Sequence, residues 1–187
     1  MWVMMGSVSY QLTGLILFII IARILSPVDF GTAALAIVFV EVTNTTVRYG
    51  LTQVIIRSTK NNIDNIENNV FMTTLILGLI TSLLFIVTAP YLESIFDAPG
   101  LAISLQILSI VPIMQALSTI PEAILRKEFK FKLLAIRLLG SSTIAGIIAI
   151  YLAYNDYGFY SLIIQKILSA TFALLLVWRG ITWRPSL

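Results

Sequence analysis

The 187-residue chain is 58% hydrophobic and only 11% charged, with a mean hydropathy of +0.96. An ordinary soluble domain carries about 25% charged residues, so the composition points to a membrane protein and leaves no room for a soluble domain. The absence of cysteine and histidine excludes thiol nucleophiles, disulfides, Cys/His metal sites and imidazole acid–base chemistry.

The net charge of +3 and pI of about 9.3 would suit nucleic acid, but the basic residues cluster in short gaps between apolar runs. The charge therefore reads as membrane topology, with no nucleic-acid partner. A bilayer-crossing helix needs about 20 mostly apolar residues. Six such spans can be drawn, at 1–22, 30–56, 69–90, 101–125, 133–154 and 159–178, forming one all-α transmembrane domain over 1–187.

The first run, MWVMMGSVSYQLTGLILFIIIA, has no Lys or Arg before it and no small-residue cleavage site after it. It reads as a retained span and not a signal peptide. Its Ser7, Gln11 and Gly14 share a face expected to pack on another helix. RILSPVD follows, where Pro27 cannot continue a helix and Asp29 is expected to cap the next one.

The second span would be about 40 Å long at 1.5 Å per residue, so it must tilt or project from the bilayer. Inside it, EVTNTTVRYGLTQ places Glu41, Asn44, Thr45, Arg48 and Thr52 at i, i+3, i+4, i+7 and i+11, which is one face at about 100° per residue. A charge near the bilayer centre costs at least about 2.5–3.5 kcal/mol. The stripe therefore reads as a cavity wall; the competing reading is structural packing, with Glu41 and Arg48 neutralising each other through Asn44 or Thr45.

After the polar gap RSTKNNIDNIEN, the third span is expected to stop at Pro90. YLESIFDAPG then forms a short acidic connection at the interface, with Tyr91 and Phe96 as anchors. Pro112 and Pro121 should kink the fourth span. Gln115, Ser118, Thr119 and Glu122 share a face there, and Glu122 is read as interfacial. RKEFKFK contributes Arg126, Lys127, Lys130 and Lys132, a topology determinant or a site for anionic lipid head groups.

The fifth span carries GSSTIAG, small residues that let a neighbouring helix approach closely. In the sixth, Lys166 lies near the midplane beside Gln165 and Ser169, a second cavity candidate. Arg23 and Arg57 bracket the second span as anchors. The gaps after spans two, four and six hold Arg57, Lys60, Arg126, Lys127, Lys130, Lys132, Arg179 and Arg184, whereas the others hold only Arg23. Both termini are expected to be cytoplasmic. No phosphate-binding glycine loop, metal-ligand cluster or transferase motif is present, so neither enzyme activity nor a cofactor or metal is expected.

At IARILSPVDFGTAALAIVF and VRYGLTQVIIR the chain resembles the N-terminal part of bacterial polysaccharide-export flippases, the O-antigen, colanic acid and capsule-type members of the multidrug/oligosaccharidyl-lipid/polysaccharide exporter superfamily. The signature residues are RILSPVDFG (23–31) and YGL (49–51), supported by RKEFKFK, YGFYSLIIQKILSA and WRP. The resemblance spans essentially the whole chain. It implies two lobes of about six helices around a central cavity, with this chain supplying one.

The implied cargo is an oligosaccharide on polyprenyl pyrophosphate, moved across the bacterial inner membrane in polysaccharide or lipopolysaccharide biosynthesis. Arg48 and Lys166 would attract its anionic head group, Asn44, Gln53 and Gln165 would hydrogen-bond sugar or water, and Glu41 would couple a proton or sodium ion. Ser26, Pro27, Asp29, Phe30 and Gly31 would shape a tight turn and cap. Relatives carry a basic segment before the first helix and continue beyond WRPSL into a second lobe, so the sequence reads as a truncated half. Two alternatives remain open: a cation-coupled multidrug-type antiporter, and a non-transporting half-transporter or scaffold packed on a partner chain.

Overall fold

The computed structural model describes the backbone of residues 2–57, 63–181 and 183, and the side chains of 11–43, 67–181 and 183. Among the described residues seven helices form an all-α bundle: α1 (Trp2–Ile24), α2 (Pro27–Arg57), α3 (Ile63–Phe96), α4 (Leu101–Leu108), α5 (Ile110–Lys127), α6 (Phe131–Tyr154) and α7 (Tyr160–Arg179). Four stretches among the described residues are long and apolar enough to cross a membrane: Glu67–Phe96, Leu101–Lys127, Phe131–Tyr154 and Tyr160–Arg179. The chain is a multi-pass membrane protein.

Helix boundaries depart from the sequence expectation where proline and polar residues were read as stops. The cap of α2 is Ser26, not Asp29. The Asp29 N–H donates to Ser26 Oγ at 3.1 Å, and the Ser26 hydroxyl donates to Asp29 Oδ2 at 2.6 Å. This reciprocal pair frees Pro27 to be the first helical residue, where its missing N–H costs nothing. In the same way α3 begins within the expected polar gap and runs through Pro90 to Phe96, so YLESIF is helix and not a connection. A single proline removes one hydrogen bond and bends a long helix without having to end it.

The expected fourth span is two helices. Pro112 has no N–H, and its ring crowds the carbonyl of Leu108. The chain breaks at that point: Ser109 N–H turns to the Gln106 carbonyl at 3.3 Å, and its hydroxyl donates to the same oxygen at 2.6 Å. Pro121 stays inside α5. The Leu117 carbonyl that it leaves without a helical donor receives the Trp178 indole N–H from α7 at 3.2 Å.

Helix α2 sits against α3, α4, α5 and α7, while α1 packs on α6, α6 on α7, α7 on α5, and α5 on α3. The centre is fully buried Ile21, Ala33, Ala36, Val40, Leu101 and Ile163. In a bilayer, helices gain little by hiding from lipid, so association depends on close packing. Two glycines provide it. A Cβ on Gly146 of α6 would lie 2.3 Å from Leu17 of α1, and one on Gly78 of α3 would lie 2.9 Å from Ala116 Cβ. GSSTIAG thus serves the close approach expected of it. Gln11 and Gly14 do not: both are exposed, and nothing lies within 4 Å of the space beside Gly14. Helix α1 makes its contact further along, at Leu17 and Ile21.

At one end three connections interlock. Thr32 donates to the Pro99 carbonyl at 3.5 Å, and the Phe159 ring lies against Gly100. Gly158, at φ +52, lies beside the Asp29 carboxylate. Asp29, Glu93, Asp97 and Asp156 belong to this end, whereas Arg126, Lys127, Lys130 and Lys132 fall at the α5–α6 turn.

Candidate functional site: a charged cavity between α2, α5, α6 and α7

Four helices otherwise rich in apolar residues turn polar faces toward one another. On α5, Gln115, Ser118, Glu122 and Arg126 recur at i, i+3, i+7 and i+11. On α7, Lys166, Ser169, Ala170 and Ala173 recur at i, i+3, i+4 and i+7. Each set is one helical stripe. With Glu41 of α2 and Arg137, Leu138 and Ser141 of α6, they line a cavity of about 330 Å³. At about 30 Å³ per liquid water, that is room for roughly ten waters. Serines and alanines on α7 leave the space open.

Glu122 is 6% exposed and holds two arginines. Its Oε1 accepts from Arg126 Nη2 at 2.8 Å and its Oε2 from Arg137 Nη1 at 2.9 Å. Arg137, 8% exposed, also donates through Nε to the Ala173 carbonyl at 3.0 Å. One guanidinium therefore ties α6 to both α5 and α7. Across the cavity Lys166 donates to Glu41 Oε1, joining α7 to α2. Among the described residues of the lining three cations face two carboxylates, a net positive charge. Such a lining attracts anions and holds water inside an apolar bundle.

A family model described as "Polysaccharide biosynthesis protein" matches residues 20–187. That range contains every residue of the cavity. The chain belongs to this family. It is also similar to the succinoglycan biosynthesis transport protein ExoT of Rhizobium meliloti (strain 1021), with 29% identity over 151 residues. The alignment covers 81% of this chain but 30% of that relative, so the chain spans less than a third of the transport protein that it matches. No solved structure matches it.

In this member of the family, Glu41 and Lys166, expected in separate candidate sites, meet on one cavity. Gln165 is half-buried and lies outside the lining. Asn44, Arg48 and Gln53 follow on α2, with side chains outside the described residues. The partner of Glu41 among the described residues is Lys166; the competing contact with Arg48 lies outside the described residues. Glu122, read from the sequence as interfacial, is buried in the cavity wall between two arginines. Of the basic turn, Arg126 lines the cavity, whereas Lys130 pairs with Glu128 at 2.7 Å.

Arg137 escaped the sequence reading. The signal was present in KLLAIRLLG, a lone cation well inside an apolar span. The default applied to Lys166, that an intramembrane charge has a partner and a purpose, would have found it.

Proposed function

We propose that this chain lines part of the hydrated path of a polysaccharide exporter of the bacterial cytoplasmic membrane. Its cargo on this reading is an oligosaccharide carried on polyprenyl pyrophosphate and flipped to the opposite leaflet. The observation that carries the proposal is the net-positive cavity built from α2, α5, α6 and α7. Sugars and a pyrophosphate need water and cations, while a polyprenyl tail remains in lipid. Family membership and the similarity to a succinoglycan transport protein support the same direction.

The volume sharpens the reading. About 330 Å³ is at the small end of the roughly 300–1,000 Å³ of ligand pockets. It suits a head group or a single sugar, and the remainder of an oligosaccharide needs walls from a further part of the transporter. Lys166 and Arg126 are the more exposed cations and would meet the anion. Glu41 competes with that anion for Lys166, which makes this carboxylate the candidate for coupling a proton or sodium ion to transport. A net-positive lining disfavours export of cationic drugs. The basic α5–α6 turn and both termini are cytoplasmic in this arrangement.

The test is binding of a polyprenyl-pyrophosphate oligosaccharide to the purified chain in detergent. We predict measurable binding, weakened about tenfold, or 1.4 kcal/mol, by Lys166→Ala. No binding by the intact chain would favour a half-transporter that only scaffolds a partner.

A further inference from the structure

The turn between α5 and α6 holds a residue that neither the cavity nor the core uses. Phe129 is 79% exposed and has φ +56. Helix α5 ends there in a Schellman motif: Lys130 N–H donates to the Leu125 carbonyl at 2.9 Å, and Phe129 N–H to the Arg126 carbonyl at 3.1 Å. The left-handed position of this motif usually belongs to glycine, which has no Cβ to crowd the backbone. The other non-glycine residues with positive φ among the described residues are Asp97 and Asp156, whose short polar side chains tolerate the conformation. Phenylalanine has no such compensation within the chain. Its ring meets Phe131 edge to face at 5.9 Å and is otherwise turned outward.

The surroundings say what it turns toward. Leu133 and Ile136, the next outward-facing apolar residues of α6, are 43% and 51% exposed, as lipid-facing positions of a membrane helix should be. Lys132 lies one turn before Ile136 on that same outward side, and Lys127 and Lys130 flank Phe129 in sequence. The apolar surface of α6 thus gives way, within one turn of helix, to an exposed ring among three lysines and one carboxylate, Glu128, which pairs with Lys130 at 2.7 Å, so the turn stays net positive. An aromatic among lysines at the end of an apolar span matches the boundary between acyl chains and anionic head groups.

We propose that the α5–α6 turn is a docking surface for the anionic lipid head groups of the leaflet it borders, with the Phe129 ring inserted among them, Lys132 pairing with their phosphates and Lys130 exchanging its half-exposed Glu128 partner for them. The strained conformation is maintained because it aims the ring outward. This proposal does not depend on what the cavity carries.

The chain has no native cysteine, so Phe129→Cys gives a single site for an environment-sensitive nitrobenzoxadiazole label. Tyr157→Cys, at the exposed α6–α7 turn of the other end, is the control. The full chain is reconstituted into phosphatidylcholine vesicles with and without phosphatidylglycerol. The expected result is a blue-shifted emission at position 129 when the anionic lipid is present, with acrylamide quenching reduced at least twofold. Both effects are lost in Lys130→Gln/Lys132→Gln and at high salt, and position 157 does not respond. In detergent, Phe129→Gly should raise the melting temperature, since the strain is relieved where no head groups compensate. Equal emission and quenching at position 129 in both vesicle compositions would overturn the proposal. So would a response at position 157 as large as that at 129, or a shift that survives removal of both lysines.

Discussion

The two ion-paired walls of the cavity are built to different standards. On the α5–α6–α7 wall, Glu122 is almost fully buried, uses both oxygens, and shares Arg137 with a main-chain carbonyl. On the α2–α7 wall, the Glu41 side chain is 47% exposed and the Lys166 side chain 22% exposed, each with one described partner. A buried charge with several fixed partners cannot leave without stranding the others, whereas a half-exposed pair can exchange its partner for water or an anion. The first wall ties helices together; in the proposed function the second is the one that binds.

The largest expected effect follows from the first wall. Arg137→Met leaves Glu122 with the partly exposed Arg126 and deprives the Ala173 carbonyl of its second donor. Removing one member of a buried pair costs about 3–5 kcal/mol, which for a chain of this size should lower the melting temperature by roughly 10 °C. Glu122→Met should do the same. The double variant Glu122→Met/Arg137→Met should recover much of the loss, because an apolar pair of similar volume strands no charge. Thermal unfolding followed by circular dichroism in detergent checks this. A double variant as unstable as the sum of the singles would mean that the wall is not a clamp.

The contrast was half legible in the sequence. The polar stripe on α2 and Lys166 on α7 announce a cavity, and period alone gathers Gln115, Ser118 and Glu122 of α5 onto one face, although that stripe reads as interfacial. Which carboxylate pairs with which cation was not legible. Glu41 and Lys166 are separated by 125 positions, and the cation that α2 itself offers on the same stripe is Arg48, two turns away. Pro90, which reads as a stop, lies inside α3, and Pro121, which reads as a kink, lies inside α5. Sequence marks where a hydrogen bond is lost, but only the packed structure shows whether a neighbour replaces it. Pro121 lies inside an unbroken α5, and Trp178 of α7 supplies the missing donor.

That replacement gives the intermediate test of the same wall. Trp178→Phe keeps most of the ring volume and removes the N–H, leaving the Leu117 carbonyl without its indole donor. An unsatisfied buried acceptor costs about 1–3 kcal/mol. The loss should be smaller than that of Arg137→Met and should not be repaired by any change at Glu122. Coupling between Trp178 and Glu122 in a double-variant cycle would instead show that the clamp and the proline patch act as one unit.

The smallest effect on stability is expected at the other wall, and there it separates holding from binding. Glu41→Gln removes the charge of the carboxylate while keeping its shape, so Lys166 loses its ion pair but not its place. A pair this exposed contributes about 0–1 kcal/mol, and the melting temperature should move by no more than a few degrees. Lys166 then faces the cavity without a competing carboxylate, and affinity for an anionic head group should rise, not fall. Lys166→Ala has an equally small effect on stability and the opposite effect on binding. The two variants therefore leave the fold alone and move affinity in opposite directions, a pattern that a purely structural pair cannot produce. If both weaken binding equally, Glu41 touches the cargo directly and is no competitor of it for Lys166.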